Sequence, residues 1–328
     1  MILPRSDSGR HHSTTLNRSS ARDTFLEDAL SGLRNQPKQL PCKYFYDQRG
    51  SRLFDAICET DDYYVTRTET SIMQHHADEM GECLGRDVML IEFGSGSSLK
   101  TRFLLDHLLD PAAYVPVDIS REHLHSSADR IRSEYTDLEV LPVCADFTRP
   151  FSLPSSDRPA SHQAVYFPGS TIGNFQPAEA QKLLSNIAQL CGQQGGLLIG
   201  IDLKKDPEVL EKAYNDSDGV TAEFNLNLLR RMRNELDAKI DLNAFDHHAF
   251  YNPAKSRVEM HLRSRIDQAI HLGDESVRLK AGELIHTENS HKYSIDGFAK
   301  MASEVGWTLR RSWTDANRYF AVLHLVVL

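Results

Sequence analysis

From Asp87 onward the chain alternates short apolar runs with longer helix-like segments. The runs are Val88–Phe93, Tyr114–Val117, Val140–Cys144, Ala164–Phe167 and Gly196–Ile201, each bounded by Gly, Pro, Asp or Ser. Apolar runs this short suit strands buried on both faces. The segments between them, Leu99–Leu109, Arg121–Tyr135 and Pro177–Cys191, are long enough for crossover helices. That rhythm predicts an α/β fold, a mostly parallel sheet with helices on both faces. Trp307–Trp313 and Tyr319–Leu328 are β-rich and flank a short polar turn, so a final hairpin should add an antiparallel strand.

Two regions break the rhythm. Residues 23–67 combine a helical stretch with aromatic-rich turns. Residues 202–293 open with helices and continue as alternating strands, with Val258, Met260 and Leu262 on one face. Thr221 is placed to cap a helix whose Phe224, Leu228 and Met232 recur every four residues. The expected organisation is a disordered tail over 1–22 and a sheet domain made of 68–201 plus 294–328. A smaller α/β domain for the substrate would comprise 23–67 plus 202–293.

Charge and composition narrow the function. The 328 residues carry 37 Lys and Arg against 46 Asp and Glu, and the net charge of −9 argues against nucleic acid as a partner. No stretch approaches the ~20 apolar residues of a membrane span. Residues 1–22 lack the apolar core of a secretory signal. The five cysteines are widely spaced and never C-x-x-C, which fits free thiols in the cytoplasm. The adjacent pairs His75-His76 and His247-His248 point in different directions on any regular element, so no metal site is expected.

The strongest local signal is the run Val88–Ser98, V-M-L-I-E-F-G-S-G-S-S. A strand ending in G-x-G lets a ligand approach the backbone at Gly94 and Gly96. Leu99 stands where a dinucleotide fingerprint needs its third glycine, and no Walker lysine follows. Asp118 ends the next apolar run, where a carboxylate can take both hydroxyls of a ribose. Asp146-Phe147 follows the third run and offers an adenine a polar partner and an apolar face. Each has a plainer reading, Asp118 as a helix cap and Phe147 as core. Three such features at three successive strand ends point to an adenosyl ligand without a pyrophosphate, hence S-adenosylmethionine. Beyond the fourth run, F-P-G-S-T-I-G-N-F (167–175) leaves room for a substrate, with Asn174 either facing it or capping the next helix.

From about residue 25 on, the chain resembles the histidine Nα-methyltransferases of ergothioneine biosynthesis. The resemblance rests on K-Y-F-Y-D-x-x-G-S-x-L-F-D (43–55), Y-Y-x-T-R (63–67), E-F-G-S-G-S-S-x-K-T-R (92–102), G-S-T-I-G-N (169–174), D-L-x-K-D (202–206) and E-x-S (288–290). It implies a Rossmann-like class I methyltransferase domain and a second domain that clamps the amino acid. It also implies S-adenosylmethionine as methyl donor, L-histidine as substrate and trimethylation to hercynine, the first step of that pathway. Gly94, Ser95, Gly96, Lys100, Asp118, Asp146 and Phe147 fall on positions around the donor, and Tyr46 borders its methionine part. Tyr63, Asn174 and Tyr214 fall on positions that hold the substrate's carboxylate and α-amine. Phe54 and Met260 line the pocket, and Glu288 and Ser290 read the imidazole. A monomer is expected, with the sulfoxide synthase of the pathway as a separate protein.

Methyl transfer from a sulfonium needs in-line approach of a neutral amine, so positioning is the main lever. Tyr63 and Asn174 are the expected catalytic residues, orienting the lone pair while the amine's proton passes to water or to Tyr63. Tyr46, Phe54, Tyr63 and Tyr64 could supply the π faces that a quaternary ammonium favours. Glu288 and Ser290 share a face if their segment is extended. Two alternatives stand beside this reading: an N-methyltransferase of another aromatic amino acid, tryptophan-like, or a non-catalytic adenosyl-binding protein.

Overall fold

The apolar runs become strands of one sheet, and the departures from the expected boundaries have local causes. The computed structural model describes residues 10–96 and 99–328, with side chains from residue 21 on except Leu99. First come α1 (Arg10–Arg34), β1 (Lys38–Gln39), α2 (Gln48–Glu59) and α3 (Tyr64–Leu84). The alternating stretch is β2 (Val88–Phe93), α4 (Leu99–Leu105), β3 (Ala113–Asp118), α5 (Arg121–Glu134), β4 (Val143–Cys144), β5 (His162–Phe167), α6 (Pro177–Cys191) and β6 (Gly196–Asp202). Then follow α7 (Pro207–Tyr214), α8 (Val220–Glu235) and the strands β7 (Phe245–Asn252), β8 (Arg257–Ser264), β9 (Gln268–Leu272), β10 (Glu275–Leu279) and β11 (Leu284–His291). Last are α9 (Ile295–Ser303), β12 (Trp307–Thr314) and β13 (Phe320–Val327).

The larger of two units comprises Tyr46–Thr221, Ala249–Glu259 and Asn289–Leu328. Its sheet has the order β12-β13-β6-β5-β2-β3-β4. The strands β6, β5, β2, β3 and β4 are parallel, and β13 runs antiparallel to both β6 and β12. Parallel strands align their carboxyl ends, so the residues after β2, β3 and β5 share one edge of the sheet. Ile91, Phe93, Val115, Val117, Val165 and Phe167 are fully or almost fully buried with Leu184 and Ile187 of α6. Val140 makes only an isolated bridge to Tyr114, and β4 proper is reduced to Val143–Cys144. Pro142 lies between them and brings no N–H to a ladder.

The smaller unit comprises Met1–Phe45, Ala222–His248 and Met260–Glu288. Residues 46–67, 202–221, 249–259 and 289–293, placed with the substrate domain on sequence grounds, group instead with the sheet. Of the expected tail, residues 1–9 lie outside the described residues, and the chain is helical from Arg10. Helix propagation costs little once a packed segment has nucleated it, and Phe25, Ala29 and Leu33 are buried. Strands β1, β11, β8 and β7 lie in that order in a second sheet, and β9 pairs with β10. Val258, Met260 and Leu262 are buried as their alternation predicts, yet Arg257, Glu259 and His261 are buried too. The helix expected to start from a Thr221 cap is capped by Asp216, whose carboxylate accepts from the amides of Val220 and Thr221 at 2.7 and 2.8 Å.

Candidate active site

The glycine turn follows β2 directly. Gly94 and Gly96 take φ of 68° and 47°, in the left-handed region that favours glycine. Among the described residues, a Cβ on Gly94 would meet nothing within 4 Å, and one on Gly96 only the Gly94 carbonyl at 3.8 Å. Ser95, between them, is buried. Asp118, at the end of β3, accepts from the Ser120 amide at 2.8 Å through Oδ1, while Oδ2 lies 3.5 Å from the Gly96 amide. Burial pushes its carboxyl up, against those two amides. One carboxylate thus closes a local turn and faces the glycines. Two backbone donors leave a carboxylate capacity for two more, which suits a diol. Asp146 turns Oδ1 to Thr148, with the amide at 3.0 Å and the hydroxyl at 2.5 Å, and Arg149 approaches Oδ2 at 3.8 Å. Phe147 stacks on Phe93 at 5.1 Å and is half-buried, so one ring face belongs to the core. These groups fit an adenosine.

Lys100 is committed elsewhere. Its ammonium pairs with Glu69, a carboxylate of α3 with no exposed surface. The same carboxylate accepts from the Gly169 amide, 3.0 Å from each oxygen. The loop 169–174 is thereby stitched down at its start. Ser170, in the left-handed region at φ 56°, accepts from the Asp202 amide at 2.9 Å. Gly173 lies so close to the His291 backbone that an added Cβ would sit 2.9 Å from its oxygen. Asn174 closes the 3-10 turn Thr171–Asn174 and is not the cap of α6, since Gln176 and Glu179 form that capping box.

Four rings form a row within the larger unit. Tyr46 and Phe54 meet edge to face at 5.9 Å, Phe54 and Tyr63 at 6.5 Å, and Tyr63 and Tyr214 at 6.2 Å. Arg67 holds the turn before α3 by donating to the carbonyls of Thr60, Asp61 and Tyr63 at 2.5, 2.7 and 3.2 Å. That clamp holds the backbone that carries Tyr63. Burial raises the Tyr63 phenol well above its usual range. It therefore remains a neutral O–H. Tyr64 does not join the row. Its ring meets Tyr319 at 5.4 Å, and its hydroxyl donates to Asp202 at 2.7 Å. Consecutive residues at a helix start point in different directions, so only one of the two tyrosines can face the row.

Asp202, at the end of β6, anchors a buried charge cluster that the sequence reading left without a role. Lys292 donates to it at 2.7 Å, and Lys205 pairs with its other oxygen. Burial alone would raise Asp202, but the two ammoniums hold it below the usual carboxylate range. Burial drags Lys205 down to about 8. Lys292 is fully buried, and there the pull of Asp202 and Tyr214 outweighs burial and raises it. Lys292 donates further to Ser290 Oγ at 2.8 Å and Tyr214 OH at 3.1 Å, and Tyr214 OH donates to Ser290 Oγ at 2.7 Å. Two predicted substrate residues, Tyr214 and Ser290, are thus joined directly. Met260 is buried on β8, and Glu288 is half-buried on β11, two positions before Ser290 on the same strand face. Glu92 is a further group not singled out from sequence. It is buried in β2, accepts from Thr101 at 2.7 Å and from Tyr114, and burial raises it to about 7 against both bonds. The visible signal was an acid interrupting an apolar strand just before G-x-G.

The antiparallel β13, lying between β12 and β6, separates this sheet from an all-parallel dinucleotide-binding one. With the glycine turn and Asp118 on its carboxyl edge, it defines a class I S-adenosylmethionine-dependent methyltransferase. Residues 25–327 match the family described as "Histidine-specific methyltransferase, SAM-dependent", and the chain belongs to that family. The histidine N-alpha-methyltransferase of Mycolicibacterium smegmatis is 39% identical over 302 residues, covering 90% of this chain and 92% of that one. The histidine N-alpha-methyltransferase of Mycobacterium tuberculosis is 39% identical over 294 residues, covering 88% and 90%. Ergothioneine biosynthesis protein 1 of Neurospora crassa is 30% identical over 312 residues, 89% of this chain but 33% of the fungal protein. Among the described residues no helix is long and apolar enough to cross a membrane.

Proposed function

We propose that the protein methylates the α-amine of L-histidine three times, yielding hercynine, the first step of ergothioneine biosynthesis. The observation that carries this reading is the row Tyr46–Phe54–Tyr63–Tyr214, which ends on a serine backed by a buried lysine. It lies in the same unit as the glycine turn. S-adenosylmethionine, when bound, supplies a methyl group already activated on a sulfonium. Gly94, Ser95, Gly96, Asp118, Asp146 and Phe147 hold its adenosine, and Tyr46 borders its methionine part. Lys100 acts through Glu69, fixing the loop that carries Asn174. Tyr63, Asn174 and Tyr214 hold the amino acid by its carboxylate and amine, Tyr214 accepting from the amine because its own hydrogen goes to Ser290. Tyr63, as a neutral phenol, and Asn174 direct the amine lone pair toward the methyl group, and the proton goes to water.

The methylated product is a quaternary ammonium with nothing left to donate, and aromatic edges and faces suit it better than further acceptors. Phe54 and Met260 line the pocket. Glu288 and Ser290 read the two imidazole nitrogens. A carboxylate there penalises an apolar side chain, which would leave it unpaired. The five cysteines are thiols, not disulfides, which suits a reducing cytoplasm, with a separate sulfoxide synthase taking the product. Mass spectrometry of the purified protein with S-adenosylmethionine and each of the twenty amino acids tests the proposal. Mass gains of one to three methyl groups on histidine alone are expected, and gains on tryptophan instead, or on nothing, overturn it.

A further inference from the structure

The hydrogens around Lys292 can be counted. An ammonium has three donors and no acceptor. Those of Lys292 go to Asp202 Oδ2 at 2.7 Å, Ser290 Oγ at 2.8 Å and Tyr214 OH at 3.1 Å. The two hydroxyls also share one hydrogen bond, at 2.7 Å. A phenol is the more acidic partner and donates, while the aliphatic hydroxyl accepts. Ser290 Oγ therefore receives two hydrogens, from Lys292 and from Tyr214, and both of its acceptor positions are used. What remains to it is its own O–H.

We propose that Lys292, held by Asp202, is a positioning residue that turns Ser290 into an obligate hydrogen-bond donor, so that the site takes histidine with a neutral imidazole and rejects imidazolium. This rests on the reading of Ser290 as a contact of the substrate ring. A neutral imidazole has one bare nitrogen that can accept from the Ser290 hydroxyl, whereas imidazolium has an N–H on each nitrogen and would set hydrogen against hydrogen. The cation would also meet the ammonium of Lys292 directly behind the serine. A ring read by a carboxylate alone would behave in the opposite sense and bind the cation better. Rejecting apolar side chains and rejecting the protonated ring are thus two tasks, and the lysine performs the second.

The groups around the cluster allow a clean titration between pH 5.5 and 7. Asp202 on β6 is held low, Lys292 is raised, and Tyr63, Tyr64 and Tyr214 from α3 and α7 are all raised by burial. Lys205, at about 8, stays charged across that range. His291 is pushed by burial down to about 4 and stays neutral, with Arg257 and Glu259 beside it forming an ion pair at 2.7 Å. Glu288 precedes Ser290 on the strand, and Glu92, beside the glycine turn, titrates near 7. Both remain in every variant below, so they do not affect the comparison.

The experiment is calorimetric titration of histidine into the protein saturated with S-adenosylhomocysteine, from pH 5.5 to 7. With an imidazole pKa of about 6.5, binding should be about tenfold weaker at pH 5.5 than at pH 7. Ser290→Ala and Lys292→Met should both flatten that slope, the first by removing the donor and the second by freeing an acceptor position on Ser290. S-adenosylhomocysteine binding, measured on each variant, reports an intact fold. A wild-type affinity that is level or tightens as pH falls, in a protein that still methylates histidine, overturns the inference. Absence of both histidine binding and methylated histidine at pH 7 overturns the proposed function instead.

Discussion

Glu92 illustrates how far burial can move one side chain. Its carboxyl titrates near 7 in the folded protein, against 4.5 for a free one, because burial outweighs the bonds from Tyr114 and Thr101. Between those two values the folded state keeps a proton that the unfolded chain releases. Stability therefore falls as pH rises from about 4.5 to 7 and is level above, a loss of about 3 kcal/mol across the window. Glu92→Gln removes this contribution. In urea titrations the variant should gain on the wild type by roughly that amount between pH 5 and pH 8. An equal difference at the two pH values would show that Glu92 is ionised throughout. At this scale the sequence was partly legible. Asp118 stands out because it ends a strand, but nothing in the residues around Lys292 marks it. Its burial depends on Asp202, ninety positions away, and no local pattern announces such a pairing.

At the scale of elements, the loop 169–174 shows how a few contacts place a segment. Glu69 of α3 holds its start, Ser170 takes the Asp202 amide, and Gly173 lies against the backbone of His291. Gly173→Ala puts a Cβ 2.9 Å from the His291 oxygen and 3.1 Å from its nitrogen. Backbone cannot give way as a side chain does, so about 1–3 kcal/mol of stability should be lost, as for other overpacked sites. His291 sits between Ser290 and Lys292, so histidine affinity should fall at least tenfold while donor affinity holds. Calorimetry with the two ligands separates these effects, and an equal loss for both would place the loop in the donor site. The expected strands and helices matched the observed elements wherever an apolar run or a capped helix was self-contained. They failed at β4, where Pro142 interrupts pairing, and at the start of α8, where the cap is supplied by Asp216 from an earlier turn.

For the whole molecule, the test is linkage between donor binding and unfolding. A ligand that binds only the folded state at a hundred times its Kd adds about 2.7 kcal/mol of stability. S-adenosylhomocysteine should therefore raise the melting temperature by several degrees, and Asp118→Ala should abolish most of the shift. A shift that survives the substitution would move the adenosyl site away from the end of β3. The division of the chain at this scale was not legible in full. Residues 46–67, 202–221, 249–259 and 289–293 lack the β/α rhythm, yet they group with the sheet. Compactness follows which side chains pack together, and the rhythm of a segment does not record that.

The sequence by itself determined the order of strands and helices, the glycine turn, the carboxylates at the strand ends and, through its motifs, the family. These are properties of short segments: burial on both faces demands apolar runs, and a left-handed turn demands glycine. Only the tertiary structure decided that Tyr63 joins the aromatic row while Tyr64 turns to Asp202. It alone joined Tyr214 to Ser290 through a buried lysine and committed Lys100 to Glu69. A hydrogen bond or an ion pair depends on ångström distances between residues far apart in the chain, and those distances exist only after the sheet has formed.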